Sequence, residues 1–85
     1  MFDIVLGKQP TDFLKKCDKT TYERVMEKLL VLRSNPVPGD VKRVVGYNLP
    51  TFRLRTGKYR TLYRINYPAN TIFVVTIDLR DRVYE

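Results

Sequence analysis

The sequence predicts a single α+β domain over residues 1–85: an N-terminal strand, a helix hairpin, then a C-terminal antiparallel β-meander with the helices packed on one sheet face. Apolar residues recur at helical spacing before residue 35 and alternate with period two after residue 51. The loop NPVPGD (35–40), with two prolines and a glycine, separates these two regions. A chain of 85 residues is long enough for one core and too short for two.

The first part of the chain contains a strand and a short helix. Phe2 to Leu6 is an apolar run that ends at Gly7 and Pro10, which is typical of a strand. Thr11 has the side chain of a helix cap, and the helix that follows is expected to end near Cys17.

The second helix has a clearer start. Thr20 to Glu23 has the capping-box form, in which a threonine hydroxyl and a glutamate carboxylate each accept a hydrogen bond from a free backbone N–H. Pro36 is expected to end the helix near Ser34. Its predicted core stripe has spacings of three and four and comprises Tyr22, Val25, Met26, Leu29 and Leu30.

The second half reads as extended strands joined by tight turns. Strand-like segments are predicted at 41–47, 52–55, 59–66 and 71–77, with turns at 56–58 and 67–70. Residues 71–77 are nearly all apolar or β-branched, so we expect a central strand covered on both faces.

The register of the predicted hairpin decides where its arginines lie. With Gly57 and Lys58 as the two central turn residues, Thr56 pairs with Tyr59 and Arg55 stands opposite Arg60. A slip of one residue would move an arginine into the core. The favoured register places Arg53, Arg55, Arg60 and Arg64 on one face, and Phe52, Leu54, Thr61 and Tyr63 on the other.

The net charge of +7 is concentrated in the second half of the chain. Residues 1–40 carry seven Lys/Arg and six Asp/Glu, whereas residues 41–85 carry nine and three, with no acid between Val41 and Ile77. Such a field attracts polyanions such as nucleic acid or an acidic protein; the alternative is a basic surface that serves solubility. Because the arginines have no acid of their own in this stretch, we expect either that the relief of their repulsion comes from outside the chain or that the segment tolerates the strain.

Arginine clusters of this kind suit phosphate, since the planar guanidinium grips two oxygens and keeps its charge. The segment DLRDRVYE (78–85) adds Arg80, Arg82 and Tyr84 at intervals of two. Guanidinium groups favour the ionised phenolate, which makes Tyr84 a candidate proton carrier. The alternative is that Asp78 and Asp81 pair locally with these arginines.

Several other classes of function are disfavoured. A single cysteine, Cys17, excludes an internal disulfide, and without any histidine to activate it we expect a buried structural thiol. The N-terminus has no basic region before its apolar residues, and no apolar run is long enough to cross a bilayer. We therefore expect a cytoplasmic protein that does not bind membranes, metal ions or cofactors.

The hairpin FRLRTGKYRTLYRI (52–65) and the segment LRDRVYE (79–85) resemble the motifs of the RelE/ParE toxin superfamily, in particular its RelE branch and the shorter archaeal-like members. The resemblance implies a toxin of a type II toxin–antitoxin system that cleaves messenger RNA in the ribosomal A site. It also implies a hetero-oligomer with a cognate RelB-like antitoxin encoded beside it.

The resemblance implies that Arg53, Arg55, Arg60, Arg80 and Tyr84 are catalytic and that Arg82 is a further basic position. With the other cations of the hairpin, the predicted RNA-binding residues are Arg53, Arg55, Lys58, Arg64 and Arg82. The chain departs from the best-known members at Arg53 and Arg55, where they have lysines. Arginine is a poorer general base than lysine because its pKa lies above about 12.

Two alternatives remain open on the sequence. One is a toxin of the same fold without nuclease activity, as in the ParE branch, which acts on DNA gyrase. The other is an RNA-binding module without catalysis, with bases stacking on Tyr47, Phe52, Tyr59, Tyr63 and Tyr67.

Overall fold

The computed structural model describes residues 1–79, which form two helices and a five-stranded mixed sheet. The spatial strand order is β1-β5-β4-β3-β2; β1 runs parallel to β5, and every other pair is antiparallel. The predicted α+β fold is confirmed. The elements are β1 (Asp3–Leu6), α1 (Lys8–Lys16), α2 (Lys19–Val31), β2 (Lys42–Val44), β3 (Thr51–Thr56), β4 (Tyr59–Asn66) and β5 (Thr71–Leu79).

Helix α1 begins earlier than expected. Gly7 is its N-cap, and Pro10 lies in the first turn, where a proline is tolerated because the N–H groups there have no helical partner. Thr11 lies inside the helix and donates its hydroxyl to the Gly7 carbonyl at 2.9 Å. The prediction that Thr11 caps this helix is therefore wrong.

Helix α2 also begins earlier, at Lys19, with Asp18 as its N-cap. The predicted capping box is wrong because Thr20 and Glu23 both lie within the helix. Interaction with the Thr21 side chain, followed by the backbone N–H groups of the first turn, lowers the pKa of the Asp18 carboxyl below its ordinary value of 3.8.

The buried stripe of α2 is narrower than predicted. Val25 and Leu29 are fully buried, and Leu32, just after the helix, joins them. Tyr22 and Leu30, which were predicted to be core residues, are 44% and 52% exposed. Complete burial of an aliphatic side chain stabilises the fold by about 1.5–3 kcal/mol, so the three buried residues account for most of what holds α2 in place.

The core lies between the helices and one face of the sheet. Tyr63 is its largest side chain, and its hydroxyl donates a hydrogen bond of 2.7 Å to the Pro36 carbonyl. Burial, with a smaller contribution from the charge of Asp40, raises the pKa of Tyr63 well above its ordinary value. The sheet residues of the core are Phe52, Leu54, Tyr63, Ile65, Ile72, Val74 and Ile77.

Strand β5 lies inside the sheet between β1 and β4, although β4 is the middle strand, and the prediction that both faces of β5 are covered is wrong. Ile72, Val74 and Ile77 are buried against the helices, whereas Phe73, on the opposite face, is 38% exposed. Cys17 is only partly buried, with its Sγ 3.7 Å from the Leu14 carbonyl oxygen, so the expected full burial is also wrong.

The side chain of Gln9 completes the edge of β5 beyond the end of β1. Its Nε2 donates to the Ile77 carbonyl at 2.7 Å, and its Oε1 accepts from the Ile77 N–H at 2.7 Å. The Thr76 hydroxyl donates to the same Oε1 at 3.0 Å. One amide side chain thus supplies the donor and the acceptor that a neighbouring strand would otherwise provide.

Within residues 1–79, neither helix has the length and apolar character needed to cross a membrane.

Candidate nucleic-acid interface

The structure confirms the predicted hairpin register. Thr56 pairs with Tyr59, and Arg55 is the direct cross-strand partner of Arg60. Gly57 has a φ of +58°, and Lys58 does not have a positive φ, as expected of a turn with glycine in its first central position. The turn chemistry and the buried face together select this register.

The open face of the sheet, which the helices leave uncovered, contains the predicted arginine cluster. Arg53, Arg55 and Arg60 line a shallow depression of about 110 Å³ at the hairpin. The predicted clustering of these three side chains is therefore confirmed. Arg55 is exposed, and the other two are partly buried.

The depression also contains two residues that sequence reasoning missed, Asp40 and Lys42. Lys42 is the cross-strand partner of Arg53, so it extends the cationic surface onto β2. The sequence does not show that the segment 41–47 pairs with the arginine hairpin. Once that pairing is known, alternation along β2 places Lys42 and Arg53 on the same face.

Carboxylates from outside the basic stretch approach the arginines. Asp78 on β5 is the direct cross-strand partner of Arg60, and Asp40 lines the depression from the loop before β2. Part of the relief therefore comes from carboxylates of this chain, which neither of the two expected alternatives had included. Asp40 also forms an exposed ion pair of 3.4 Å with Lys28, so its charge is shared with a cation outside the cluster. Four cations against one carboxylate leave the lining of the depression positive.

Arg64 lies on the same face but apart from this cluster. It is the cross-strand partner of Thr51 and Phe73, four residues along β4 from Arg60. Its guanidinium carbon lies 4.9 Å from the centroid of the Tyr47 ring, and its Nε is buried without a hydrogen-bond partner among the described residues. Arg64 is therefore held by packing and a cation–π contact outside the depression.

Lys58 is at the tip of the hairpin and does not line the arginine depression. Its Nζ lies 5.6 Å from the centroid of the Tyr59 ring. The cavity that Lys58 does line is on the side of the turn facing α2.

Three of the predicted site residues, Arg80, Arg82 and Tyr84, lie outside the described residues. The described chain ends at Leu79, whose cross-strand partner is Tyr59 at the start of β4. The next pair along these strands is Asp78 and Arg60. Leu79 is thus one residue along β5 from the cross-strand partner of Arg60, an arginine that lines the depression.

The aromatic residues considered for base stacking divide into two groups. Phe52 and Tyr63 are buried in the core, and Tyr59 packs edge-on against Phe13 with a centroid separation of 5.1 Å. Tyr47 and Tyr67 are 44% and 53% exposed. Only these last two have a large surface available to a nucleic-acid base.

The chain matches known proteins over nearly its whole length. Residues 8–84 match the family model of the ParE toxin of the type II toxin–antitoxin system, parDE. RelE1, a protein of Methanocaldococcus jannaschii, is 26% identical over 87 residues, covering 99% of this chain and 96% of that protein.

Two solved structures show the same architecture. The archaeal RelE–RelB complex from Pyrococcus horikoshii OT3 has a chain that aligns with a TM-score of 0.84 and 28% identity, covering 96% of this chain and 98% of that chain. A chain of the intact E. coli RelBE toxin–antitoxin complex aligns with a TM-score of 0.78 and 18% identity, covering 96% and 100%, which shows the fold. The chain belongs to the ParE toxin family of type II toxin–antitoxin systems, in the RelE/ParE superfamily, and is of the RelE type.

Proposed function

We propose that this chain is an endoribonuclease toxin that cleaves messenger RNA in the ribosomal A site, in the cytoplasm. The observation that carries the proposal is the depression in which Lys42, Arg53, Arg55 and Arg60 converge on the open sheet face. A concave surface with this excess of fixed positive charge is suited to a phosphodiester.

The proposed reaction is attack of a ribose 2′-hydroxyl on the adjacent phosphorus. The 2′-oxygen loses its proton and forms a bond to phosphorus, the bond to the 5′-oxygen of the next nucleotide breaks as that oxygen gains a proton, and the products are a cyclic phosphate and a 5′-hydroxyl. Negative charge accumulates on the phosphorane oxygens during this step. Arg53, Arg55 and Arg60 stabilise that charge with donors already held in place by the strands.

Proton transfer requires a group other than these arginines, which stay protonated at neutral pH. We assign proton transfer to Tyr84, with Arg80 and Arg82 as further phosphate contacts. The segment that contains them follows Leu79, the cross-strand partner of Tyr59. Leu79 comes directly after Asp78, the cross-strand partner of Arg60.

A cognate RelB-like antitoxin is the proposed protein partner, in a hetero-oligomer. The solved P. horikoshii and E. coli relatives are RelE–RelB complexes. On this chain the open face has the cationic depression and an exposed apolar pair, Val5 and Phe73, which are cross-strand partners and are 44% and 38% exposed. An antitoxin segment with acidic and apolar side chains complements both features.

The experiment is cell-free translation with the purified chain, followed by primer extension on the messenger. The variants are Arg60→Ala, Arg80→Ala and Tyr84→Phe, and Lys15→Ala, an exposed cation at the end of α1, is the charge control. Losing one preorganised donor from an anionic transition state costs roughly 100- to 1,000-fold in rate. We expect losses of this size for the first three variants and full cleavage by Lys15→Ala.

Intact messenger with the parent chain would refute the nuclease proposal. Full cleavage by Tyr84→Phe would refute only the assignment of proton transfer to Tyr84. Comparing naked messenger with translating ribosomes decides whether the ribosome is required.

The second candidate is a gyrase-directed toxin without nuclease activity, which the match to the ParE family model favours. A DNA supercoiling assay with purified gyrase distinguishes the two. Inhibition of supercoiling together with intact messenger would establish this candidate instead.

A further inference from the structure

A second cationic cavity lies at the same hairpin, on the side of the turn that faces α2. It has a volume of about 300 Å³ and is lined by Thr21, Arg24, Thr56, Gly57, Lys58 and Tyr59. None of these residues lines the arginine depression on the open face. The two-residue turn thus separates two cationic concavities.

Two cations without a carboxylate partner define the charge of this cavity. Arg24 and Lys58 form no ion pair with any residue in 1–79. The Arg24 guanidinium lies against the turn, with an Nη atom 3.7 Å from the position that a Cβ would occupy at Gly57. This is an ordinary van der Waals distance, so the guanidinium lies directly beside the turn.

A buried hydroxyl in the cavity wall also lacks a partner. Thr56 is 6% exposed, and its Oγ1 makes no hydrogen bond with the described residues. A buried hydroxyl without a partner is destabilising, and an oxyanion is a strong acceptor for it. On the other wall, the side chain of Thr21 forms a hydrogen bond with the carboxylate of Asp18, the solvent-exposed N-cap residue of α2.

We propose that this cavity binds a phosphate group, held by Arg24, Lys58 and the Thr56 hydroxyl, and that the phosphate belongs to an RNA strand that passes around the hairpin tip. The assignment to RNA rests on the proposed function. The site would hold the strand on one side of the turn while the depression on the other side binds the phosphate that reacts. The affinity for inorganic phosphate tests the cavity without reference to cleavage.

The experiment follows the backbone amide signals of Thr56, Gly57 and Lys58 by NMR while inorganic phosphate is added to the full chain. Arg24→Gln and Thr56→Val are the test variants. Thr61→Val is the matched control, because Thr61 on β4 is also buried with an unpartnered hydroxyl but does not line the cavity. Lys15→Gln controls for net charge.

We expect Arg24→Gln to weaken phosphate binding about tenfold, the scale of one hydrogen bond between charged groups. Thr56→Val should weaken it by a smaller factor, and Thr61→Val and Lys15→Gln should leave it unchanged. Equal affinity in the parent and Arg24→Gln, or equal losses in the two valine variants, would overturn the phosphate site.

A second titration with a non-cleavable 2′-O-methyl RNA oligonucleotide tests the source of the phosphate. Arg24→Gln should weaken oligonucleotide binding by a factor similar to that for inorganic phosphate. Unchanged oligonucleotide affinity, with lost phosphate binding, would overturn the assignment to RNA. Because neither titration involves bond cleavage, a catalytically inactive chain would still give both answers.

Discussion

Arg55 and Arg60 lie directly opposite each other across the β3–β4 hairpin, on the face that the helices leave open. Like charges at opposed positions of a sheet destabilise it by a few tenths to about 1 kcal/mol. Asp78, the cross-strand partner of Arg60 on β5, offsets part of this repulsion, and phosphate oxygens between the two guanidinium groups would relieve more of it.

Arg55→Thr should increase the free energy of unfolding, because it removes the like-charge contact and threonine suits a strand. The gain should be about 0.2–1 kcal/mol at low ionic strength and smaller at high ionic strength, where surface charges are screened. Urea denaturation at both salt concentrations measures it. Arg43→Thr, on the opposite face with its guanidinium 5.8 Å from the Phe52 ring, should show no gain. A loss of stability in Arg55→Thr would contradict the repulsion between Arg55 and Arg60.

Gln9→Ala should lower the free energy of unfolding by about 1–3 kcal/mol, because it removes the partners of both backbone groups of Ile77. The free energy of unfolding of Gln9→Glu should lie between those of the parent and Gln9→Ala, since a carboxylate accepts from the Ile77 N–H but cannot donate to its carbonyl. Urea denaturation gives the stabilities, and hydrogen exchange of the Ile77 amide reports the local opening. An unchanged exchange rate of the Ile77 amide in Gln9→Ala would show that Gln9 does not protect this edge of β5.

Asp18→Asn should destabilise the chain at neutral pH but not at pH 2. The pKa of the Asp18 carboxyl is lowered in the folded state. A carboxyl with a lowered folded pKa contributes stability above its unfolded pKa, and this contribution is lost as the pH falls through the folded value. Asparagine caps a helix about as well as aspartate, so the substitution isolates the charge. The melting temperatures of the parent and of Asp18→Asn should differ at pH 7 and converge near pH 2. A constant difference across this range would refute an electrostatic origin of the destabilisation.

Tyr63→Phe should make the chain less sensitive to alkali. Burial raises the pKa of Tyr63 above its ordinary value of 10, so the unfolded chain loses this proton at lower pH than the folded chain. The stability from the protonated phenol is complete below pH 10 and is lost as the pH rises further. Below pH 10, the loss of the hydrogen bond to Pro36 should cost about 0.5–1.5 kcal/mol. Unfolding curves at rising pH measure both effects, and Tyr22→Phe, at an exposed position, is the control.

Short-range sequence patterns were the most reliable guide to this fold. The predicted pairing of Thr56 with Tyr59 is correct because turn chemistry and alternation act within a few residues. The helix starts were less predictable. Thr20 has the residue type of a cap, but so does Asp18 two residues earlier, and the chain enters the helix at Asp18.

The sequence by itself determined the α+β order, the hairpin register and the shared face of Arg53, Arg55 and Arg60, because alternation and turn type specify these locally. Only the tertiary structure decided that Lys42 and Asp40 join the arginines, that Asp78 faces Arg60, and that Lys58 lines a different cavity. These relationships depend on which strands become neighbours and which face the helices cover. Contacts between residues distant along the chain set both, and no local pattern encodes such contacts.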